Sequence, residues 1–436
     1  MNILNLVNKK LNSHELPKIG NEIDTILLDN NELSNLDFLE KGKIYKKICV
    51  NTNKIKIEKL ENIECDLIML NQNLIERLEV INCNITSLNI LRNELEEIKF
   101  INSNVKILNL GNNKLSVFES YPNNLETLFL QGNFLEELPK LPRTVIHLDL
   151  SNNNLINVNF LNNNYYLRIN MMNNLNLSIV SLENIKVNNL VLSYCKNKDL
   201  FIKNCEIEKL DLMSNFLENI YFMKSKIHRI NLSLNKIKKM TNFPDELQEI
   251  NLEDNELEFF DKIPESLIKI NLSNNNLSNI GNLPKYLKYL DLSENLINTF
   301  NFENLPSEIE YLDLSKNQFI IKNIYKDFNK LKTKIQDFYY DEEENLVNDE
   351  NNLESLLEIK KDNSDSLPEV KNDNSESLIE EKKDNFEPIQ KVKRDNGLFP
   401  YLKENILDRF TNRERVINND DPLVNESIII KWSLCI

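Results

Sequence analysis

Catalysis needs a nucleophile, a base or a metal ligand at a defined spacing, and this chain offers few candidates. Its three histidines, His14, His147 and His228, fall in unrelated segments, and none has a nucleophile at a suggestive spacing. The six cysteines, Cys49, Cys65, Cys83, Cys195, Cys205 and Cys435, include no C-x-x-C pair and no nearby His, the clustered soft ligands that zinc requires. No G-x-x-x-x-G-K-[ST] phosphate loop occurs. Cys435 is penultimate, whereas prenylation modifies a Cys fourth from the end. These residues predict no enzyme, no cofactor and no metal. The thiols are too sparse for a disulfide framework and read as small buried or half-buried side chains in a reducing compartment.

The 436 residues that would position any such group carry a net charge of −16, with 28% charged and 41% hydrophobic. That apolar share supports a large core and excludes global disorder. Asn occurs 76 times, Ala never and Gly six times. Because Asn, Ile and Lys are read from AT-rich codons, the bias predicts an AT-rich genome, that of a large DNA virus or a protist. No apolar run approaches the roughly 18 residues that cross a bilayer. Met1 to Lys10 lacks the basic start of a signal peptide. The expected location is cytoplasmic, in the host cell if the genome is viral, with no membrane association. Residues 341–397 hold 18 Asp/Glu and 8 Lys/Arg, so most of the negative charge sits in one block. An acidic chain repels phosphate backbones, which excludes nucleic acid as the expected partner.

An internal period organises the rest. Leu125, Leu128, Leu130, Asn133 and Leu135 fit L-x-x-L-x-L-x-x-N-x-L, as do Val145, Leu148, Leu150, Asn153 and Leu155. The Asn position recurs at Asn31, Asn53, Asn73, Asn93, Asn113, Asn133, Asn153, Asn174, Asn215, Asn235, Asn255, Asn275, Asn295 and Asn317, with Cys195 in the same place. This makes about fifteen units, most of them 20 residues long. In L-x-L, both Leu point one way only in an extended segment, so each unit supplies one short strand. Leu128 and Leu130 then face inward while Thr127, Phe129 and Gln131 face outward. The Asn sits where the chain turns, and its amide has the donors and acceptor to bond backbone groups of its own and neighbouring coils. Cys195 has only a weak S–H donor, so its coil should be irregular.

The pattern resembles the leucine-rich repeat family over residues 20–320. The resemblance implies a solenoid with a curved parallel β-sheet, in which stacked coils share apolar faces that one coil could not bury alone. It also implies a protein-protein interaction scaffold that binds through its concave face and does no catalysis. The return side has too few residues for a helix. Pro139, Pro142, Pro244, Pro264, Pro284 and Pro306 fill it in part of the array, and Leu138-Pro139-Lys140-Leu141-Pro142 is similar to the short repeats of bacterial effectors. An extended or polyproline-like convex side follows. Earlier coils carry alternating runs instead, such as Ile98-Lys99-Phe100. A second reading is an adaptor or effector that recruits partners to the ubiquitin machinery. Some similar effectors append a ligase domain with a catalytic C-x-D motif, which Cys435-Ile436 does not match.

The expected domains are an N-terminal cap over 1–22, the solenoid over 23–320 and a C-terminal capping helix over 321–340. Ile3, Leu6, Val7 and Leu11 keep a helical spacing, as do Ile321, Ile324, Tyr325, Phe328, Leu331, Ile335 and Phe338. Leu16-Pro17 through Leu27 is similar to the start of an F-box, but Ile23, Ile26, Leu28 and Asn31 fit the first repeat better. An acidic disordered linker with 11-residue repeats follows over 341–397, then a small helix/strand segment over 398–436. On the concave face, Leu67, Met69, Leu91, Ile107 and Phe129 occupy outward positions on four successive coils, with Cys49 outward just before them. Contiguous outward apolar side chains mark an interaction site, so these five are the expected contacts of a protein partner to a monomeric scaffold.

Overall fold

The computed structural model describes residues 2–161, 164–240, 242–319, 331 and 333–340. The chain divides into two units, Met1–Asp349 and Glu350–Ile436, and only the first contains described residues. The linker and the segment over 398–436 therefore lie outside the described residues.

The first unit is a leucine-rich repeat solenoid built on one seventeen-stranded parallel sheet. It runs from Ile3–Asn5 to Asp337–Tyr339, and each coil pairs with the coils before and after it. Register follows the repeat: Leu128 lies beside Leu108 on one side and Leu148 on the other. Leu125, Leu128, Leu130 and Leu135 are fully buried, as the inward positions of a period-two strand require.

The ladder Asn closes each turn. In one coil, the Asn133 amide donates to the carbonyls of Leu110 and Leu130, each at 3.0 Å. Its Oδ1 accepts from the Leu115 N–H at 3.0 Å. Leu130 also takes an amide from the next coil, Asn153 at 2.9 Å, so each such carbonyl is shared between two ladder residues. The residue just before the ladder position is left-handed in all fifteen coils, and only Gly132 there is glycine. Asn30, Asn112, Asn152, Asn173 and Asn274 tolerate that conformation, while Arg92, Tyr194 and Leu234 are held in it.

Cys195 has no acceptor to match the Asn Oδ1. Its thiol lies 3.6 Å from the Met171 carbonyl and 3.7 Å from that of Ser193, longer than the amide bonds of its neighbours. Asn197, two residues on, turns inward in its stead. Fully buried, it accepts from the Ile179 N–H at 2.6 Å and donates to Asn215 Oδ1 at 2.8 Å. A leucine or isoleucine fills the equivalent place in most coils, Leu217 and Leu135 among them.

The return side depends on proline. Six returns without it form two three-stranded parallel sheets: Lys59–Glu61, Arg77–Ile81 and Glu97–Ile101, then Ser181–Glu183, Asp199–Lys203 and Asn219–Met223. Returns containing a proline, that of Pro122 included, carry no described strand, because proline lacks the N–H a ladder needs. A second polar ladder accompanies these sheets. Ser103 Oγ bonds the Val80 and Ile101 carbonyls at 2.9 and 3.0 Å and accepts from the Cys83 N–H at 3.1 Å. Ser225 repeats the arrangement with Cys205.

The array ends correct two expectations. No helix forms at the N-terminus: Ile3–Asn5 is a strand beside Thr25–Leu27, with Leu4 level with Ile26. The 3-4 spacing of so short a segment also fits another L-x-L coil, and pairing with the exposed strand edge satisfies its backbone. At the other end, residues 337–339 are a strand beside Tyr311–Asp313, not the last turn of a helix. Of the expected helix, residues 320–330 and 332 lie outside the described residues; Ile335 donates to the Leu331 carbonyl at 2.9 Å.

Two substitutions separate these contributions. Asn133→Leu leaves the buried Leu115 N–H without its acceptor and should cost about 2–4 kcal/mol. Leu234→Asn puts a tolerant residue at a left-handed, 43% exposed position and should gain about 0.5–1 kcal/mol. Urea unfolding of both variants measures the two opposite shifts.

Candidate partner-binding face

Two rows of side chains cover the solvent side of the main sheet. One runs Lys47, Leu67, Ser87, Ile107, Thr127, His147; the other Cys49, Met69, Asn89, Asn109, Phe129, Asp149. Leu91 lies beyond its strand, in the turn, where its N–H bonds Asn71 Oδ1 at 2.9 Å. The structure thus brings Leu67, Met69, Leu91, Ile107 and Phe129 to one side of four successive coils. All five are half-buried, and Ser87, Asn89, Asn109 and Thr127 interrupt them. Cys49 points outward and is buried, because the small thiol sits between the larger Leu27 and Met69 of adjacent strands. Burial pushes its pKa up to about 11, and that of Cys65 to about 12.

Polar residues on this face are largely committed to closing the strand ends. Asp149 Oδ1 accepts from both the N–H and the hydroxyl of Ser151, at 2.9 and 2.6 Å. Asn231, Asn271, Asp291 and Asp313 do the same for Ser233, Ser273, Ser293 and Ser315. L-[DN]-L-S is therefore a local turn as well as a solvated surface. Arg229 Nε lies 3.1 Å from Glu249 on the neighbouring strand. His228 lies between Glu208, 3.1 Å from Nδ1, and Glu246, 3.6 Å from Nε2. His228 sits inside the strand Lys226–Asn231. Among the described residues, no group of three or more His, Cys, Asp or Glu is arranged to hold a metal.

Two aromatic stacks gave no signal in the linear pattern, because their rings meet only through the 20- to 22-residue register. Phe201 and Tyr221 stack at 4.7 Å on the return-side sheet, and Tyr289 and Tyr311 at 4.1 Å on the main sheet. Apolar residues more exposed than the five on the main sheet, including Val180 and Met223, accompany the first stack.

No protein-family model and no curated protein matches the chain. Solved structures do. A YopM from Yersinia enterocolitica WA-314 is 17% identical, with a TM-score of 0.44 over 74% of this chain and 84% of that one. The leucine-rich effector YopM from Yersinia pestis is 20% identical, with a TM-score of 0.45 over 78% and 88%. The leucine-rich repeat domain of APL1B is 18% identical, with a TM-score of 0.35 over 63% and 84%. The coil geometry described above, not these likenesses, defines the fold. No helix among the described residues is long and apolar enough to cross a membrane.

Ion pairs line the coil edges, mostly between residues one repeat apart. Lys56 and Glu76 meet at 2.7 Å, and Lys226 and Glu246 at 2.5 Å. The hydrogen bond from lysine, then its charge, holds Glu32, Glu61 and Glu76 below their ordinary 4.5. A carboxylate depressed in the folded state binds its proton less tightly than when unfolded. Its contribution is full above 4.5 and is lost as pH falls through the depressed folded value. The array should therefore lose stability on acidification below about pH 4.5. Adding salt at neutral pH should weaken the same exposed pairs. Urea midpoints measured between pH 3 and 7, at low and high salt, check both directions.

Proposed function

We propose that the chain is a non-catalytic protein-interaction scaffold that presents the solvent side of its main sheet to a protein partner. One observation carries this reading: register gathers Leu67, Met69, Leu91, Ile107 and Phe129 on four adjacent coils of one sheet. Each ring or aliphatic chain remains part-accessible. Half-buried apolar groups ringed by amides and hydroxyls suit a contact whose centre is dry and whose rim is wet. Large side chains such as Met69 and Phe129 supply the anchoring area. Location in the cytoplasm and a monomeric state accompany the proposal. No described residue favours recruitment to the ubiquitin machinery, and Cys435 lies outside the described residues.

Replacing Met69 and Phe129 together by Lys tests it. Both residues point away from the core, and polar side chains occupy the same row at Asn89, Asn109, Asp149 and Asn170, so the fold should persist. Proteins that copurify with the wild-type chain should be lost from the double variant while its unfolding transition is retained. An unchanged set of copurifying proteins on a folded variant refutes this use of the face.

A further inference from the structure

The last three strands of the main sheet carry a surface unlike the rest. Tyr289 lies level with Tyr311 and Asp337, and Asp291 with Asp313 and Tyr339. Three phenols and three carboxylates thus form a two-row grid, with no Lys or Arg among the six. The row containing Tyr289 carries both signs further back, at Lys209, Arg229, Glu249 and Lys269, and turns aromatic from Tyr289 on. Tyr289 and Tyr311 stack at 4.1 Å with rings 8° apart, and Tyr339 continues the series at 5.5 Å from Tyr311 and is 48% exposed. Ser315 orients the Asp313 carboxylate through Oδ1, and Tyr311 approaches its Oδ2 at 3.4 Å. Among the described residues, neither Asp313 nor Asp337 takes part in an ion pair. Lys288, beside the grid, is engaged by Glu310 at 2.9 Å.

The protein itself shows what these rings accept. Lys269 Nζ lies 4.5 Å above the centre of the Tyr289 ring, a cation on a phenol face. Burial, with Tyr289 and Asp291 close by, pushes the Tyr311 phenol above its usual range, so it stays neutral as a stacking surface.

We propose that this grid docks an arginine-rich segment of a partner protein. A guanidinium is planar, stacks on aromatic faces and forks onto carboxylates, whereas an ammonium can only approach as a point charge. The grid supplies ring faces and carboxylates side by side: its negative charge complements a cationic segment, and the ring faces select arginine over lysine. The proposal extends the scaffold reading to a second stretch of the same face. It has its own readout, so it can fail while the Met69 and Phe129 test succeeds, and the reverse.

Fluorescence anisotropy of the full chain with labelled nine-residue peptides, rich in arginine, lysine or citrulline, tests it. The arginine peptide should bind tightest and the citrulline peptide weakest. Tyr311→Ser and Asp313→Asn should each weaken arginine binding by about threefold to fivefold, and together by about tenfold. Ser87 in one row, and Asn231 and Asn271 in the other, show that the strands tolerate these residues, and circular dichroism verifies the fold. Glu136→Gln, an exposed carboxylate elsewhere, should change nothing. Equal affinity for lysine and arginine peptides overturns the proposal. So does undiminished binding by the double variant, which would assign the interaction to acidic residues 341–397.

Discussion

The carbonyl that follows a main-sheet strand has two lone pairs, and wherever asparagine holds two successive ladder positions, two different coils supply the donors. Leu130 accepts from Asn133 of its own turn and Asn153 of the next, and Leu110 accepts from Asn113 and Asn133 in the same way. A turn is therefore satisfied only when its successor is in place. This coupling, added to shared apolar faces, makes the array quasi-one-dimensional and cooperative between neighbours. It also explains the backbone strain. The ladder residue can reach inward only if the residue before it turns left-handed, so Leu234 and Tyr194 adopt that conformation despite its cost.

The coil around Cys195 shows that this constraint acts on hydrogen-bonding capacity, not on residue identity. Once the acceptor is missing at the ladder position, an amide appears two residues later, in a slot most coils give to an aliphatic side chain. Asn197 satisfies the Ile179 N–H and hands the connection on to Asn215. The return side solves the same problem twice, with serine hydroxyls and thiols bridging consecutive coils at Cys83, Ser103, Cys205 and Ser225. Proline returns avoid the problem by removing a donor.

Much of this was legible in the sequence because the period fixes which residues become neighbours. The inward leucines, the Asn ladder and the departure of the early returns from the proline pattern all follow from spacing. The ends were not legible. Ile3, Leu6, Val7 and Leu11 satisfy a helical spacing, yet Leu4 and Leu6 also satisfy L-x-L, and only the open edge of Thr25–Leu27 decides between them. Cys49 shows a different limit of reading direction alone. Alternation predicts where a side chain points, whereas its burial depends on the bulk of Leu27 and Met69 one coil away on either side.

The same distinction limits what could be read of the binding face. Direction is a property of one strand; the character of a surface belongs to a row that crosses many strands. Met69 and Phe129 look contiguous when their coils are read in order, but Asn89 and Asn109 stand between them in their row. Tyr289 and Tyr311 look unrelated in the chain, and register puts their rings in contact. In a solenoid the repeat period is thus the rule that converts a sequence into a surface. A 22-residue coil changes no neighbour in the row, since Tyr289 still pairs with Tyr311; the extra residues bulge into the return and leave the face intact. Variation in coil length and variation in surface chemistry are independent, which lets one array carry an apolar stretch, a row of mixed charge and an aromatic–acidic grid in succession.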